Sequence, residues 1–261
     1  MDVIVCVKQV PDTSNVRFDS KTGVMIRESL PVTINPFDLH AIEEAVRIKE
    51  RYGARVKVIS MGPPLAEASL RDALALGCDE AFLLTDPEFA GADTMATSYT
   101  LACAIRKIGR FSLIICGFKT TDGDTGHVGP ALAQELDLPQ ITYVGKIIEL
   151  DDRCIKAERV LEKGVEVIES RIPCLVTVLK GINQPRLATF KAKLMAKKAA
   201  VTIWGPKDID ADPSRIGLKG SPTHVANISM LPSPAKGEIF TGNTDQAVDK
   251  IVEKLQELRL I

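Results

Sequence analysis

Short apolar runs alternating with amphipathic helix patterns fill the first 140 residues, and that alternation leaves few folds open. Val3 to Val7, Arg55 to Met61, Ala81 to Leu84 and Leu113 to Cys116 read as strands. The first is a continuous apolar run, as expected of a central parallel strand covered on both faces. Helix signals separate them. Asn35 is a candidate N-cap with Pro36 at the first helical position, Asp38 in the first turn and Gly53 as the stop. Gly62-Pro63-Pro64 opens a second helix with Leu65, Ala68, Ala73 and Leu76 expected inward, ending at Gly77. Asp93 caps a third that Gly109 terminates, and a fourth runs from near Val128 to before Pro139. Four βα units require parallel strands joined by right-handed crossovers, hence an α/β fold with a Rossmann-like, three-layer, doubly wound and mainly parallel sheet.

The pattern then changes from helical to strand period. Ile141 to Leu150, Cys154 to Leu161, Val165 to Ile172 and Cys174 to Leu179 are strand-like, with turns at Asp151-Asp152 and Lys163-Gly164. These should extend the sheet with antiparallel members. A smaller hairpin is expected within Pro11 to Pro31, where Val16-Arg17-Phe18 and Val24-Met25-Ile26 flank Lys21-Thr22-Gly23. We place a domain boundary near 205: residues 1–205 form the nucleotide-binding domain, and 206–261 form an extended arm. Pro206 to Gly242 is rich in Pro, Gly and Ser with weak periodicity, so it should lie extended over a surface. A final helix, capped at Asn243 or Thr244, carries Val248, Ile251, Val252 and Leu255 on one face and should dock on another subunit.

Charge and cysteines narrow the class. A formal net charge of −1 carries no polyanion signature, which argues against nucleic acid as a partner. No apolar run approaches the roughly 20 residues that span a bilayer, and Val3 to Val7 begins the chain as a strand rather than a leader. The six cysteines contain no C-x-x-C pair, so buried reduced thiols in a cytoplasmic protein are expected and a metal site is not.

The chemistry gathers where strands end. After Leu113 to Cys116 comes Gly117-Phe118-Lys119-Thr120-Thr121-Asp122-Gly123-Asp124-Thr125-Gly126-His127-Val128-Gly129-Pro130, a glycine-rich turn leading into a helix. Backbone N–H groups freed by glycine and the positive end of a helix dipole form a phosphate cradle. The two Asp residues complicate this, since carboxylates repel phosphate unless they bind hydroxyls, a magnesium ion or the loop's own backbone. The loop matches neither a P-loop nor G-x-G-x-x-G, which argues against an NTPase. Asn35-Pro36-Phe37-Asp38, Met61-Gly62-Pro63 and Gly91-Ala92-Asp93-Thr94 follow the other strands, so four connections can converge on one ligand at the carboxyl edge. His40, His127 and His224 stand alone, without a nucleophile pattern, and no catalytic side chain is expected.

These residues resemble the small, beta subunit of electron transfer flavoproteins. The resemblance rests on Val5-Cys6-Val7-Lys8-Gln9-Val10-Pro11-Asp12, the Asn35-Pro36-Phe37-Asp38 cap with Ala41 to Lys49, Met61-Gly62-Pro63, Gly91 to Thr94 with Ala96-Thr97-Ser98, and the Asp122 to Pro130 loop. It implies an adenine-nucleotide-binding sheet paired with a larger alpha subunit that carries the electron-transferring FAD. Cys6, Asn35, Asp38 and Met61 would line the adenosine, and Asp124, Thr125, Gly126, His127, Val128 and Gly129 would meet the phosphate, with Phe37, Asp93, Thr94, Thr97, Gly117, Asp122 and Gly123 also among the cofactor-binding residues.

In the common branch the loop reads roughly Asp-Asp-Asp-x-Asn-Gln-Thr-Gly and holds a structural AMP. Here Gly123 replaces the middle Asp, and Gly126-His127-Val128 stands where Asn-Gln-Thr would be. The loop thus looks like the flavin-bifurcating branch, in which a second FAD occupies the pocket. That branch implies a hydride taken from NADH, one electron passed to the alpha-subunit FAD and on to an acyl-CoA dehydrogenase-type flavoenzyme, and one to ferredoxin or flavodoxin. The structural-AMP subunit is the alternative, and a stand-alone adenine-nucleotide sensor a third reading. Gly181 to Lys198 matches the family's recognition loop, with Leu194 the best match for its docking leucine, Lys191 and Lys193 beside it, and Leu187 also available.

Overall fold

A computed structural model describes residues 1–12, 31–223, 237–240 and 242–261. They fall into two compact units, Met1–His224 and Val225–Ile261. In chain order the first unit contains β1 (Asp2–Cys6), β2 (Gln9–Pro11), β3 (Val32–Ile34), α1 (Pro36–Tyr52), β4 (Arg55–Met61), α2 (Glu67–Leu76), β5 (Glu80–Leu84) and α3 (Thr94–Ile108). It continues with β6 (Leu113–Gly117), α4 (Val128–Glu135), β7 (Gln140–Leu150), β8 (Cys154–Leu161), β9 (Gly164–Arg171), β10 (Cys174–Val178), α5 (Phe190–Lys198) and β11 (Thr202–Trp204).

Nine strands form one sheet in the order β11-β5-β4-β1-β6-β10-β7-β8-β9. Helices on both faces make it the Rossmann-like α/β fold expected. One face buries Val3, Val5, Val58 and Ile115 against α1 and α2. The other buries Ile4, Ile59, Leu84 and Ile114 with Ala102, Ile105 and Leu132 of α3 and α4. The chain steps from β1 to β4 to β5 in one direction and then returns to β6 on the far side of β1. The carboxyl ends of β1 and β6 therefore flank the crevice where strand order reverses.

Several expectations need revision. β7 and β10 do not join as antiparallel members: β10 inserts between β6 and β7, parallel to both, and the antiparallel pairings are β7 with β8 and β8 with β9. All five residues of β10 are buried, as a central strand requires. The edge strand β11, parallel to β5, had no signal of its own. In α2 the expected inward face holds at Ala73 and Leu76 but not at the start: a 3₁₀ turn over Pro64–Ala66 leaves Leu65 and Ala68 exposed, while Ala66, Ser69 and Leu70 are buried.

The stretch after 205 is not an extended strap up to residue 223. Ile209 and Ile216 are buried among α3 side chains, Asp212 N–H donates to the Tyr99 hydroxyl (3.0 Å), and the Arg215 guanidinium lies 3.8 Å from the Tyr99 ring centre. The first compact unit accordingly runs to 224, past the boundary we placed at 205. The expected hairpin at Val16 to Ile26 lies outside the described residues, although β2 and β3 on either side of it pair antiparallel. In the second unit α6 (Thr244–Glu257) is capped by the Asn243 side chain, which accepts from Gln246 N–H at 2.9 Å. Its Val248, Ile251 and Val252 are exposed. Among the described residues no helix is long and apolar enough to cross a membrane.

Candidate functional site

The carboxyl ends of β1 and β6 are knitted together by two buried polar residues at the start of α1. Asn35 occupies the cap position without capping its own helix. Its side chain, fully buried, donates from Nδ2 to the Lys119 carbonyl (2.8 Å) and accepts at Oδ1 from Thr121 N–H (3.2 Å). Asp38 Oδ2 accepts from Lys8 N–H at 2.8 Å, and the carboxylate also accepts from Asn35 and from Gly117 N–H. Burial pushes the Asp38 carboxyl up to about 7 even against those hydrogen bonds. Gly117 is required here: a Cβ on it would stand 2.3 Å from Asp38 Oδ1 and 2.9 Å from Asp38 N. The polar atoms of Asn35 and Asp38 thus face the chain itself and hold the loop that follows β6.

That loop resolves the difficulty of its carboxylates. Lys8 Nζ pairs with Asp122 at 2.6 Å, and Asp122 Oδ1 accepts from Gly123 N–H at 2.8 Å. Burial opposes ionisation of Asp122, but the hydrogen bonds from Lys8, Thr120 and Gly123 N–H and the Lys8 charge together outweigh it and hold the carboxyl below its ordinary range. Lys119 Nζ pairs with Asp124 at 2.6 Å, and Asp124 sits in the left-handed region at φ 53. Asp tolerates that conformation better than most residues. Both carboxylates therefore have cationic partners, Lys8 from the connection after β1 and Lys119 from the loop itself. At the start of α4 the His127 side chain makes no capping bond and is exposed, which leaves the positive end of the helix open. Thr125 Oγ1 accepts from His127 N–H at 3.4 Å.

The remaining expected residues divide. Ser98 Oγ reaches the Val128 carbonyl (3.3 Å), which brings the first turns of α3, with half-buried Thr94 and Thr97, beside the start of α4. Cys6 and Cys116 are register partners on β1 and β6, with thiols in hydrogen-bond contact; that contact and burial hold the Cys116 thiol well above its ordinary value. Met61 is half-buried against the same apolar cluster. Asp93 is engaged by the protein: Oδ1 accepts from Met95 and Ala96 N–H at 2.9 and 3.0 Å, and Oδ2 accepts from the Thr223 hydroxyl at 2.8 Å. Gly129 packs closely, since a Cβ there would meet Thr177 Cγ2 at 2.6 Å. Lys8 and Lys119 are site residues that the sequence reading omits: Lys119 stands in the same loop as Asp124 and is legible there, whereas the approach of Lys8 to Asp122 is made by the fold. Phe37 stacks edge-on against Phe118 (6.0 Å), a ring whose role the sequence did not suggest.

The segment expected to dock partners is a loop followed by a helix. Leu187 is 94 % exposed, Phe190 78 %, Met195 64 % and Leu194 47 %. Lys191 and Lys193 are exposed beside them. Arg186 ties the segment to α1 through Glu43 (2.8 Å) and Glu50 (2.5 Å). At the other end Arg71 donates to the carbonyls of Ala196, Lys197 and Ala199 at 2.9 to 3.0 Å.

A doubly wound α/β sheet with a glycine-rich loop and an uncapped helix at its switch point defines a protein of the Rossmann-like α/β class. A family model described as "Electron transfer flavoprotein domain" matches residues 22–209. The chain is 48 % identical over 262 residues, covering both chains fully, to the electron transfer flavoprotein subunit beta of Thermoanaerobacterium thermosaccharolyticum. It is 44 % identical, again over the whole of both chains, to the caffeyl-CoA reductase-Etf complex subunit CarD of Acetobacterium woodii. To the protein FixA of Bradyrhizobium diazoefficiens it is 43 % identical, over 98 % of this chain and 91 % of that one. The chain belongs to the electron transfer flavoprotein family, as a beta-type subunit working in electron transfer. Membership implies association with a flavin or nucleotide and an alpha-type partner subunit.

Proposed function

We propose that this chain is the beta subunit of a flavin-bifurcating electron transfer flavoprotein and that the pocket at the β1–β6 switch point holds FAD. The observation that carries this reading is the state of the loop. Gly123 stands in open space, where an added Cβ would meet only Thr120 Oγ1 at 3.5 Å, and Asp122 and Asp124 are already paired with Lys8 and Lys119. A diphosphate would meet backbone N–H groups and the open end of α4 rather than free carboxylates. When bound, the flavin would supply hydride acceptance from NADH and single-electron transfer, to the alpha-subunit FAD and on to an acyl-CoA dehydrogenase-type flavoenzyme, and to ferredoxin or flavodoxin.

The protein's own part is positional. Asn35 and Asp38 hold the loop, the lysines neutralise its carboxylates, and Cys6, Met61 and the first turns of α3 floor the adenosine. Leu187 and Phe190, the most exposed apolar residues of the docking segment, lead the contact with the dehydrogenase, ahead of Leu194. The α6 helix packs its apolar stripe on the alpha subunit, and free cysteines fit a cytoplasmic setting. The relative from Acetobacterium carries a CoA-ester reductase complex in its name, which accords with a flavoenzyme partner. Flavin and nucleotide counts on the purified heterodimer test the proposal. Two FAD per dimer is the expected result; one FAD with one AMP would instead make this the structural-nucleotide subunit.

A further inference from the structure

One residue near the loop sits where the backbone does not want it. Tyr143, within β7, has φ 58, a left-handed conformation that costs a bulky side chain strain and glycine none. It occupies a bulge: Ile141 faces Val176 and Val144 faces Val178, so Thr142 and Tyr143 together oppose Thr177. The Thr177 hydroxyl accepts from Tyr143 N–H at 3.1 Å and fixes the kink. Bulges of this kind re-aim a side chain and recur beside functional sites.

The bulge aims the Tyr143 ring at the loop. It lies 4.7 Å from Phe118, the second residue after Cys116, and 39 % of the residue remains exposed. The Phe118 ring in turn supports Gly126, whose added Cβ would fall 3.6 Å from it. The Arg159 guanidinium stands 6.0 Å from the Tyr143 ring centre, and its buried Nε has no hydrogen-bond partner among the described residues. Strand order supplies a direction. The residues that floor the adenosine belong to β1 and β4 and to the start of α3, and the phosphate loop follows β6. Further along the carboxyl edge come β10 and then β7, which carries Tyr143.

Resting on the reading of this pocket as an FAD site, we propose that Tyr143 is a binding residue for the second half of the dinucleotide. Its exposed ring takes the planar isoalloxazine beyond the diphosphate, with Arg159 as the neighbouring cation. The strain at φ 58 persists because the ring at that position meets the ligand.

The test uses the purified heterodimer, freed of flavin and titrated with FAD. Tyr143→Gly relaxes the backbone and removes the ring, so the ligand-free melting temperature should rise by about 2–4 °C. FAD affinity at this pocket should weaken about three- to tenfold, the worth of one aromatic stacking contact. Tyr143→Phe keeps the ring and should match the wild type in both. If Tyr143→Gly melts lower or fails to fold, the ring is a prop for Phe118 and the proposal is overturned. A higher melting temperature with unchanged FAD affinity overturns it too. A wild-type dimer holding AMP in place of the second FAD is a separate result, visible before any variant is compared; it defeats the FAD reading and this assignment with it.

Discussion

Two stretches, glycine-rich Gly117 to His127 and lysine-rich Gly181 to Lys198, are held in opposite ways. The first hangs from Asn35 and Asp38, side chains almost wholly buried, whose partners are backbone N–H and carbonyl groups of Lys8, just after β1, and of the loop itself. The second is held mainly by side chains nearer the surface, Asn183 on His40 and Glu44 and Arg186 on Glu43 and Glu50 at one end and Arg71 on three carbonyls at the other. A buried donor or acceptor that loses its partner costs its full desolvation, whereas a half-exposed ion pair is largely replaced by water. The loop is therefore built for one fixed geometry. The segment after Gly181 presents apolar side chains to solvent, with anchors that bear modest loads.

The largest test of this contrast is Gly117→Ala. The new methyl would lie 2.3 Å from Asp38 Oδ1 and 2.8 Å from the Phe37 carbonyl carbon, so α1 and β6 must separate. We expect a loss of about 3 kcal/mol in chemical unfolding, the upper part of the overpacking range, together with lost nucleotide binding. A loss below about 1 kcal/mol would show that the junction yields and that the loop is not pinned.

Asp38 gives a smaller and pH-dependent effect. Its folded value of about 7 lies above the ordinary 3.8, so between those values the folded state binds more protons than the unfolded one. Stability from this site is then greatest at low pH and falls as pH rises from about 4 to 7. Asp38→Asn removes the titration. The difference in unfolding free energy between wild type and variant should fall across that window, and a flat difference would mean that the carboxylate ionises as freely as in solution.

The contrast between the two stretches also marks what the sequence made legible. β1, β6 and the stop of α1 at Gly53 follow from local signals: continuous apolar runs, and a glycine at φ 68 that closes the helix. The place of β10 between β6 and β7 has no local signal, because strand order is set by long-range packing. Ile209 and Ile216 are single apolar residues in irregular chain, so no period announced their burial. At the site, residue types and locations were legible and orientations were not. Asn35 reads as a helix cap, yet its side chain turns to Lys119 and Thr121, a preference decided by the 84-residue contact and not by its neighbours. The strain at Tyr143 has no trace in the sequence, since a tyrosine in a strand is ordinary there.

Arg186→Met carries the smallest expected effect and sharpens the comparison from the docking side. The substitution removes the contacts to Glu43 and Glu50 while keeping much of the aliphatic stem. Glu43 is almost buried, but Arg47 remains paired with it at 2.9 Å, so the carboxylate is not stranded. With the arginine about a third exposed, solvent recovers part of the interaction, and the cost should be about 1 kcal/mol. Amide exchange should quicken in residues 187–195 and stay unchanged in 117–127, because the two stretches hang from different parts of α1. Nucleotide affinity should be unaltered. Faster exchange in both stretches would mean that α1 transmits the loss of one anchor to the other, and the two regions would then form a single mechanical unit.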